Sequence, residues 1–395
     1  MTEPHTEVNV ALDTGVLRLR VREARYSLQD LCGFAARDNP KRGFLFVSKV
    51  LGKHWPARPS QMQALHRYLA GRLELGPGPW LCLAMAETAT GLGQGVFEAL
   101  LERAPEAEAL FVHSTRYHLA ERPRLAFQEP HCHAPEQWLY EPLEPELRAR
   151  FLGARELILI DDEISTGTTF CNLIAAYQRR NPQLQRVHCV AITDFSGAAA
   201  AANWSQRLGV PISTEAALEA DLAFTPAERA LGSPPPAAVG DNRRRPEQLA
   251  QHDSGRLGMA TRLKLPEADV QRLAQDLAPG ARVLVLGTGE YMHLAFRLGL
   301  ELEARGLEVR VQASTRSPIR LGADIQRRLV FQDNYGEGIP NYLYNVDPAA
   351  YERIILCHET PVEDLSELLH CLGAASMTYR HPEPVVPHPP GRINV

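Results

Sequence analysis

The stretch from Leu157 to Phe170, LILIDDEISTGTTF, limits the possible folds of this chain more than any other segment. Four consecutive apolar residues leave no polar face. A strand built from them has to be covered on both sides, which is the condition of an interior strand in a parallel sheet. The run ends on two adjacent carboxylates, Asp161 and Asp162. A turn of small residues follows, and TTFCNLIAAYQRR then reads as a helix. Similar units occur in WLCLAMAETATGLGQGVFEALLERA, EALFVHSTRY and VHCVAITDF. Strands alternating with helices at this spacing predict an α/β fold with a doubly wound, mostly parallel sheet.

The stretch 232–246, GSPPPAAVGDNRRRP, interrupts the rhythm with Pro, Gly and Arg and reads as a linker. Beyond it the rhythm resumes in RVLVLGTGEYMHLAFRLGLELEARG, LEVRVQASTRSPI and YERIILCHE. The expected division is a first domain over 1–231, a linker over 232–254, a second α/β domain over 255–378 and an irregular tail over 379–395. A chain of 395 residues is long enough for two cores. Ahead of the first full unit, VLRLRV alternates as a strand does, Lys53 and His54 fall in a basic loop, and PSQMQALHRYLAGRLELG reads as a helix capped by Ser60. Residues 118–145 read as a long loop or hairpin.

The net charge of −5 argues against a nucleic-acid coat, and no apolar run approaches the length of a membrane span. The seven cysteines are odd in number and never spaced as CxxC, which reads as reduced thiols in a cytoplasmic protein.

In a doubly wound sheet, ligands sit beyond the carboxyl ends of the strands. LILI therefore delivers Asp161 and Asp162 to that edge, with Glu163 beside them. Ser165, Thr166, Gly167, Thr168 and Thr169 form a compact loop whose N–H groups and hydroxyls can surround a phosphate at a helix start. The carboxylates would repel that phosphate but can accept hydrogen bonds from neighbouring sugar hydroxyls. A ribose 5-phosphate satisfies both halves.

All thirteen positions from Leu157 to Thr169 fit the motif for 5-phosphoribosyl 1-pyrophosphate (PRPP) in type I phosphoribosyltransferases. AMAETATGLGQG, STRY, EPHCHAP and ASTRSPI extend the likeness. Together they resemble the phosphoribosyltransferases of tellurite-resistance and stress-response gene clusters. These carry a C-terminal domain named TRSP, which stands here as Thr315, Arg316, Ser317 and Pro318.

The resemblance implies a type I phosphoribosyltransferase fold with a hood, and transfer between PRPP and a nitrogenous base or the reverse pyrophosphorolysis. The product would be nucleoside-like. Mg²⁺, as a hard cation, would be held through water by Asp161 and Asp162. By family position, Met85, Ala86, Glu87 and Thr88 form the pyrophosphate loop, expected to contain a non-proline cis peptide. Glu87 reads either as a contact through Mg²⁺ or to an acceptor amine, or as an acid at a helix start. Arg116 is a candidate pyrophosphate clamp. Glu129, His131 and His133 lie in the expected catalytic flap, and Lys53 and His54 in the hood. A homodimer and partner enzymes of the same pathway are assemblies the resemblance leaves open. A PRPP- or nucleotide-sensing regulator without turnover is the alternative function.

The second half can be laid on the first. Glu290 falls opposite Glu87, and Ser314-Thr315-Arg316 opposite Ser114-Thr115-Arg116. IILCHETPVED then takes the place of LILIDDEISTG, without the acid pair or the Gly-Thr loop. Two readings follow: a degenerate copy, or two unrelated units sharing a common rhythm. Strand order decides between them. A degenerate copy would not bind PRPP in the usual way, but it could keep an anion or substrate site from Gly287, Thr288, Gly289, Glu290, Ser314, Thr315, Arg316 and Ser317.

Overall fold

The computed structural model describes residues 6–37, 42–119, 122–128, 136–227, 255–373, 375–380 and 386–387. Its first half is a seven-stranded sheet in the order β1-β2-β11-β10-β9-β5-β6. The strands are β1 (Glu7–Leu12), β2 (Gly15–Ala24), β5 (Trp80–Ala84), β6 (Ala109–His113), β9 (Glu156–Ile164), β10 (Arg186–Asp194) and β11 (Ile212–Pro226). The five from β11 to β6 run parallel, and β2 and β1 are added antiparallel at one side. Two antiparallel pairs stand apart from the sheet: β3 (Cys32–Ala36) with β4 (Phe44–Ser48), and β7 (Arg124–Gln128) with β8 (Glu136–Tyr140).

The run LILI shows why the sheet is wound on both sides. Ile158 and Ile160 pack with α2 (Pro59–Arg72) and α3 (Thr90–Arg103) in one core, whereas Leu157 and Leu159 pack with α5 (Thr168–Arg180) and α6 (Ala200–Leu208) in another. All four side chains are fully buried. Each strand residue feeds one of two cores because successive side chains alternate across the sheet.

The second half holds β12 (Arg282–Gly287), β13 (Glu308–Ala313), β16 (Arg353–Cys357), β17 (Ser376–Tyr379) and β18 (Val386–Pro387), in the order β13-β12-β16-β17-β18. The first four are parallel, and β18 pairs antiparallel with β17. Part of the stretch read as an irregular tail therefore joins this sheet. The pair β14 (Arg328–Gln332) and β15 (Pro340–Tyr344) stands beside it. Helices α7 (Glu267–Ala274), α8 (His293–Glu303) and α9 (Ser366–Leu372) cover the sheet.

Three other sequence expectations differ from the structure. β11 was missed because its Glu- and Ala-rich sequence favours helix in isolation. Pairing with β10 on one side and β2 on the other overrides that preference. β9 runs on through the acids to Ile164 rather than ending before them. Ser60 does not cap α2, which starts at Pro59 with Arg58 in the cap position; instead, its N–H and hydroxyl donate to Glu303 of the second half at 2.8 and 3.0 Å. The linker stretch 232–246 lies outside the described residues.

Candidate active site

Asp161 and Asp162 occupy the last turn of the pleat in β9, half-buried, at the carboxyl edge of the parallel sheet. The Asp161 carboxylate accepts from the Asp162 N–H at 2.9 Å. Burial pushes the Asp162 carboxyl up to about 6. A hydrogen bond with Asp161 opposes the rise, and the Glu163 charge adds to it. Glu163 itself is engaged by Arg42, whose guanidinium lies 2.6 Å from both carboxylate oxygens and stacks over Phe44 at 4.8 Å.

The loop after β9 is set by Gly167, at φ 70°, which forms the N-cap of α5 without any side-chain cap. A Cβ there would run into the Trp204 ring, so both conformation and space call for glycine. The Thr166 and Thr168 hydroxyls lie 2.9 Å apart, and Ser165, Thr166, Thr168 and Thr169 are all at least partly exposed. An uncapped helix start faces this ring of hydroxyls, an arrangement suited to an oxyanion.

The loop after β5 passes beside the same edge. The Met85 N–H donates to Ile160 O at 3.0 Å, and the Ala86 N–H to Ser114 Oγ at 2.9 Å. Gln137 Nε2 holds Ala86 O at 3.0 Å, and the peptide between Ala86 and Glu87 is cis. Thr88 is the partly exposed member of the four. Glu87 is buried, with Lys53 Nζ at 2.8 Å and Arg316 Nε at 3.4 Å. Burial alone would raise its carboxyl. Lys53, Arg316 and Arg116 together outweigh that and bring it down to about 2.

Lys53 and His54 are buried beneath the second half. Lys53 Nζ also donates to Gly289 O at 2.7 Å, and burial lowers its pKa. Burial also lowers His54, to about 3, which keeps it neutral at ordinary pH. Arg116 follows β6, and its backbone N–H donates to Glu290 at 2.9 Å. Glu129, His131 and His133 lie outside the described residues. Among the described residues, no three His, Cys, Asp or Glu side chains gather as metal ligands, and no helix is long and apolar enough to cross a membrane.

The second-half residues singled out by sequence are brought together, but at the junction between the halves. Glu290 accepts from Thr115 Oγ1 at 2.6 Å and pairs with Arg256 at 2.9 Å. Gly289 N–H donates to Ser314 Oγ, Thr288 bonds Tyr335, and the Ser317 N–H donates to Thr315 Oγ1. Gly287, Thr288, Glu290, Ser314 and Thr315 are buried. Sequence reading missed Arg42, Gln137 and Arg256. Only Arg256 carries a signal: Gly255-Arg256 stands to Glu290 as Gly52-Lys53 stands to Glu87.

Residues 31–221 match the phosphoribosyl transferase family, and residues 253–372 match the TRSP domain that lies C-terminal to it. The chain belongs to this family: it is a phosphoribosyltransferase with a TRSP second half. No curated protein matches it. Similar solved structures include adenine phosphoribosyltransferase from Rhodothermus marinus, 16% identical, with 48% of this chain and 95% of that one covered at a TM-score of 0.30. The Trypanosoma brucei enzyme, solved with AMP, pyrophosphate and ribose-5-phosphate, is 12% identical, with 47% and 76% covered at a TM-score of 0.33. The Giardia lamblia enzyme, solved with 9-deazaadenine, is 12% identical, with 48% and 94% covered at a TM-score of 0.33.

Proposed function

We propose that the chain transfers a 5-phosphoribosyl group between PRPP and a nitrogenous base, in either direction, in the making of a nucleoside-like metabolite. The resemblance to phosphoribosyltransferases of tellurite-resistance and stress-response gene clusters is what supports linking that metabolite to such resistance. The observation carrying this reading is the acid pair of β9 followed at once by the hydroxyl-lined, uncapped start of α5.

Ribose 2- and 3-hydroxyls donate to Asp161 and Asp162, and Ser165 to Thr169 surround the 5-phosphate. Pyrophosphate leaves across residues 85–88, where the N–H groups of Glu87 and Thr88 serve as donors, those of Met85 and Ala86 being bonded to Ile160 and Ser114, and Arg116 supplies a cation near the departing charge. The reacting sugar carbon becomes cationic as that bond stretches, so positioning and electrostatics do the work and no protein nucleophile is required. Asp161 and Asp162 offer hard, half-buried carboxylate oxygens, which fit a partly hydrated Mg²⁺. When bound, the ion would offset the growing charge on pyrophosphate. Glu87 is already neutralised by Lys53 and Arg316, which removes the repulsion its carboxylate would otherwise exert on the leaving group.

The test is incubation with PRPP, Mg²⁺ and a panel of bases, reading pyrophosphate. Release that depends on one base supports transfer. Binding of PRPP without release on any base points to a sensor, and absence of binding sinks both readings.

A further inference from the structure

Strand order is the same in the two halves. β6-β5-β9-β10 corresponds to β13-β12-β16-β17, with the isolated pairs β7-β8 and β14-β15 inserted at the same place. The likeness extends to single hydrogen bonds. Ser114 Oγ accepts from the residue before Glu87, and Ser314 Oγ from the residue before Glu290, both at 2.9 Å. Thr115 and Thr315 exchange backbone bonds with Trp138 and Tyr342. Tyr140 and Tyr344 each accept through the hydroxyl from Leu119 N–H and Ile319 N–H, both at 2.8 Å. A common strand–helix rhythm does not dictate such side-chain details. In this register Ile160 matches Cys357, so His358-Glu359 stands where Asp161-Asp162 stands. That is the register in which IILCHE lies on LILIDD residue for residue.

The halves also trade elements. Residues 52–57 pair antiparallel with the outer edge of β13, and residues 255–259 with the outer edge of β6. Each exchanged segment brings a fully buried cation back to its own half's glutamate: Lys53 to Glu87, Arg256 to Glu290. Arg256 goes further, with a two-pronged contact to Glu359 at 2.7 and 2.8 Å. It thereby fills the position corresponding to the acid pair of the first half. Arg316, the counterpart of Arg116, crosses between Glu337 and Glu87, at 2.7 and 3.4 Å.

We propose that the second half is a duplicated copy whose own ligand site is closed by Arg256, and which now acts as a built-in subunit, positioning the pyrophosphate loop of the first half through Arg316. The loop's assignment to pyrophosphate rests on the function proposed above; the clamp itself does not. Arg316 is a positioning residue. It touches Glu87 and acts on the loop through it.

The experiment compares Arg316→Gln and Arg316→Lys with wild type in the full chain, by deuterium exchange and by steady-state kinetics with Mg²⁺ and PRPP. Arg316→Gln is expected to speed exchange over residues 85–90 by about tenfold, the equivalent of one lost ion pair at about 1.4 kcal/mol. Exchange over 157–169 stays as in wild type, and Arg316→Lys restores the loop. In turnover, KM for PRPP rises with a smaller change in kcat, and Lys again rescues. Unchanged exchange at 85–90, or a rise spread evenly over both halves, overturns the clamp. If Arg316→Gln does not fold, Glu87→Gln removes the other end of the contact and is read the same way. A wild-type protein that ignores PRPP defeats the functional reading, while the exchange data still decide the clamp.

Discussion

Asp162 combines half-burial with a carboxyl pushed up to about 6 by burial, from an ordinary value of 3.8. The sign follows from linkage. The folded protein holds this proton more tightly than the unfolded chain, so the stability it contributes is full below 3.8 and fades as pH rises through about 6. The ionised carboxylate accepts hydrogen bonds from ribose more strongly than the neutral acid, so PRPP affinity should climb over the same interval. Calorimetric titrations across that range check this, and an affinity flat in pH counts against the role given to Asp162. Asp162→Asn keeps the shape and removes the charge. It should weaken PRPP binding by about 10- to 100-fold, the worth of a hydrogen bond to a charged group, while the melting temperature holds. Glu87 behaves oppositely. Its carboxyl, held down to about 2, gives stability that is complete above its ordinary 4.5 and lost only as pH falls through about 2. Arg256 is 1% exposed and lies between the carboxylates of Glu290 and Glu359. Arg256→Ala leaves two buried acids uncompensated and should cost about 3–5 kcal/mol in denaturant unfolding.

At the scale of elements, the chain was legible wherever a strand is buried on both faces. Apolar runs such as WLCLA, ELILI and RVLVLG have one interpretation in an α/β context, and TTFCNLIAAYQRR matches α5 residue for residue. The acid pair and its loop were legible for a related reason: adjacent carboxylates and a run of hydroxyls follow one another in sequence, so the juxtaposition needs no folding to be seen. β11 was hidden because its stability comes from neighbours on both sides rather than from its own residues. The Lys53–Glu87–Arg316 contact was hidden because it joins three distant segments, and no local pattern announces such a meeting. The loop leading into α5 offers its own test. Gly167→Ala must place a methyl group against Trp204 at φ 70°. The left-handed backbone alone costs about 1–2 kcal/mol, so melting should fall and the loop should lose phosphate affinity.

Across the whole molecule, the two halves meet through stacked rings as well as charges. Tyr117 and Tyr335 lie 4.4 Å apart at 20°, with Arg256 over Tyr117 at 5.4 Å. The face on which Glu290 is held by Thr115 and the Arg116 backbone is occupied from within the chain. Because Arg256 occupies the second half's counterpart of the acid pair, calorimetry with Mg²⁺ and PRPP should give one site per chain. A stoichiometry of two would show that the second half retains a working site.

The antiparallel segments exchanged at β6 and β13 have a practical outcome. β6 and β13 are each shielded by a piece of polypeptide from the other half, so a cut between Pro226 and Gly255 followed by separation would strip both shields at once. Either fragment made alone would present raw backbone along one flank and self-associate through it. Produced together, the fragments should dress each other's flanks and stay in solution.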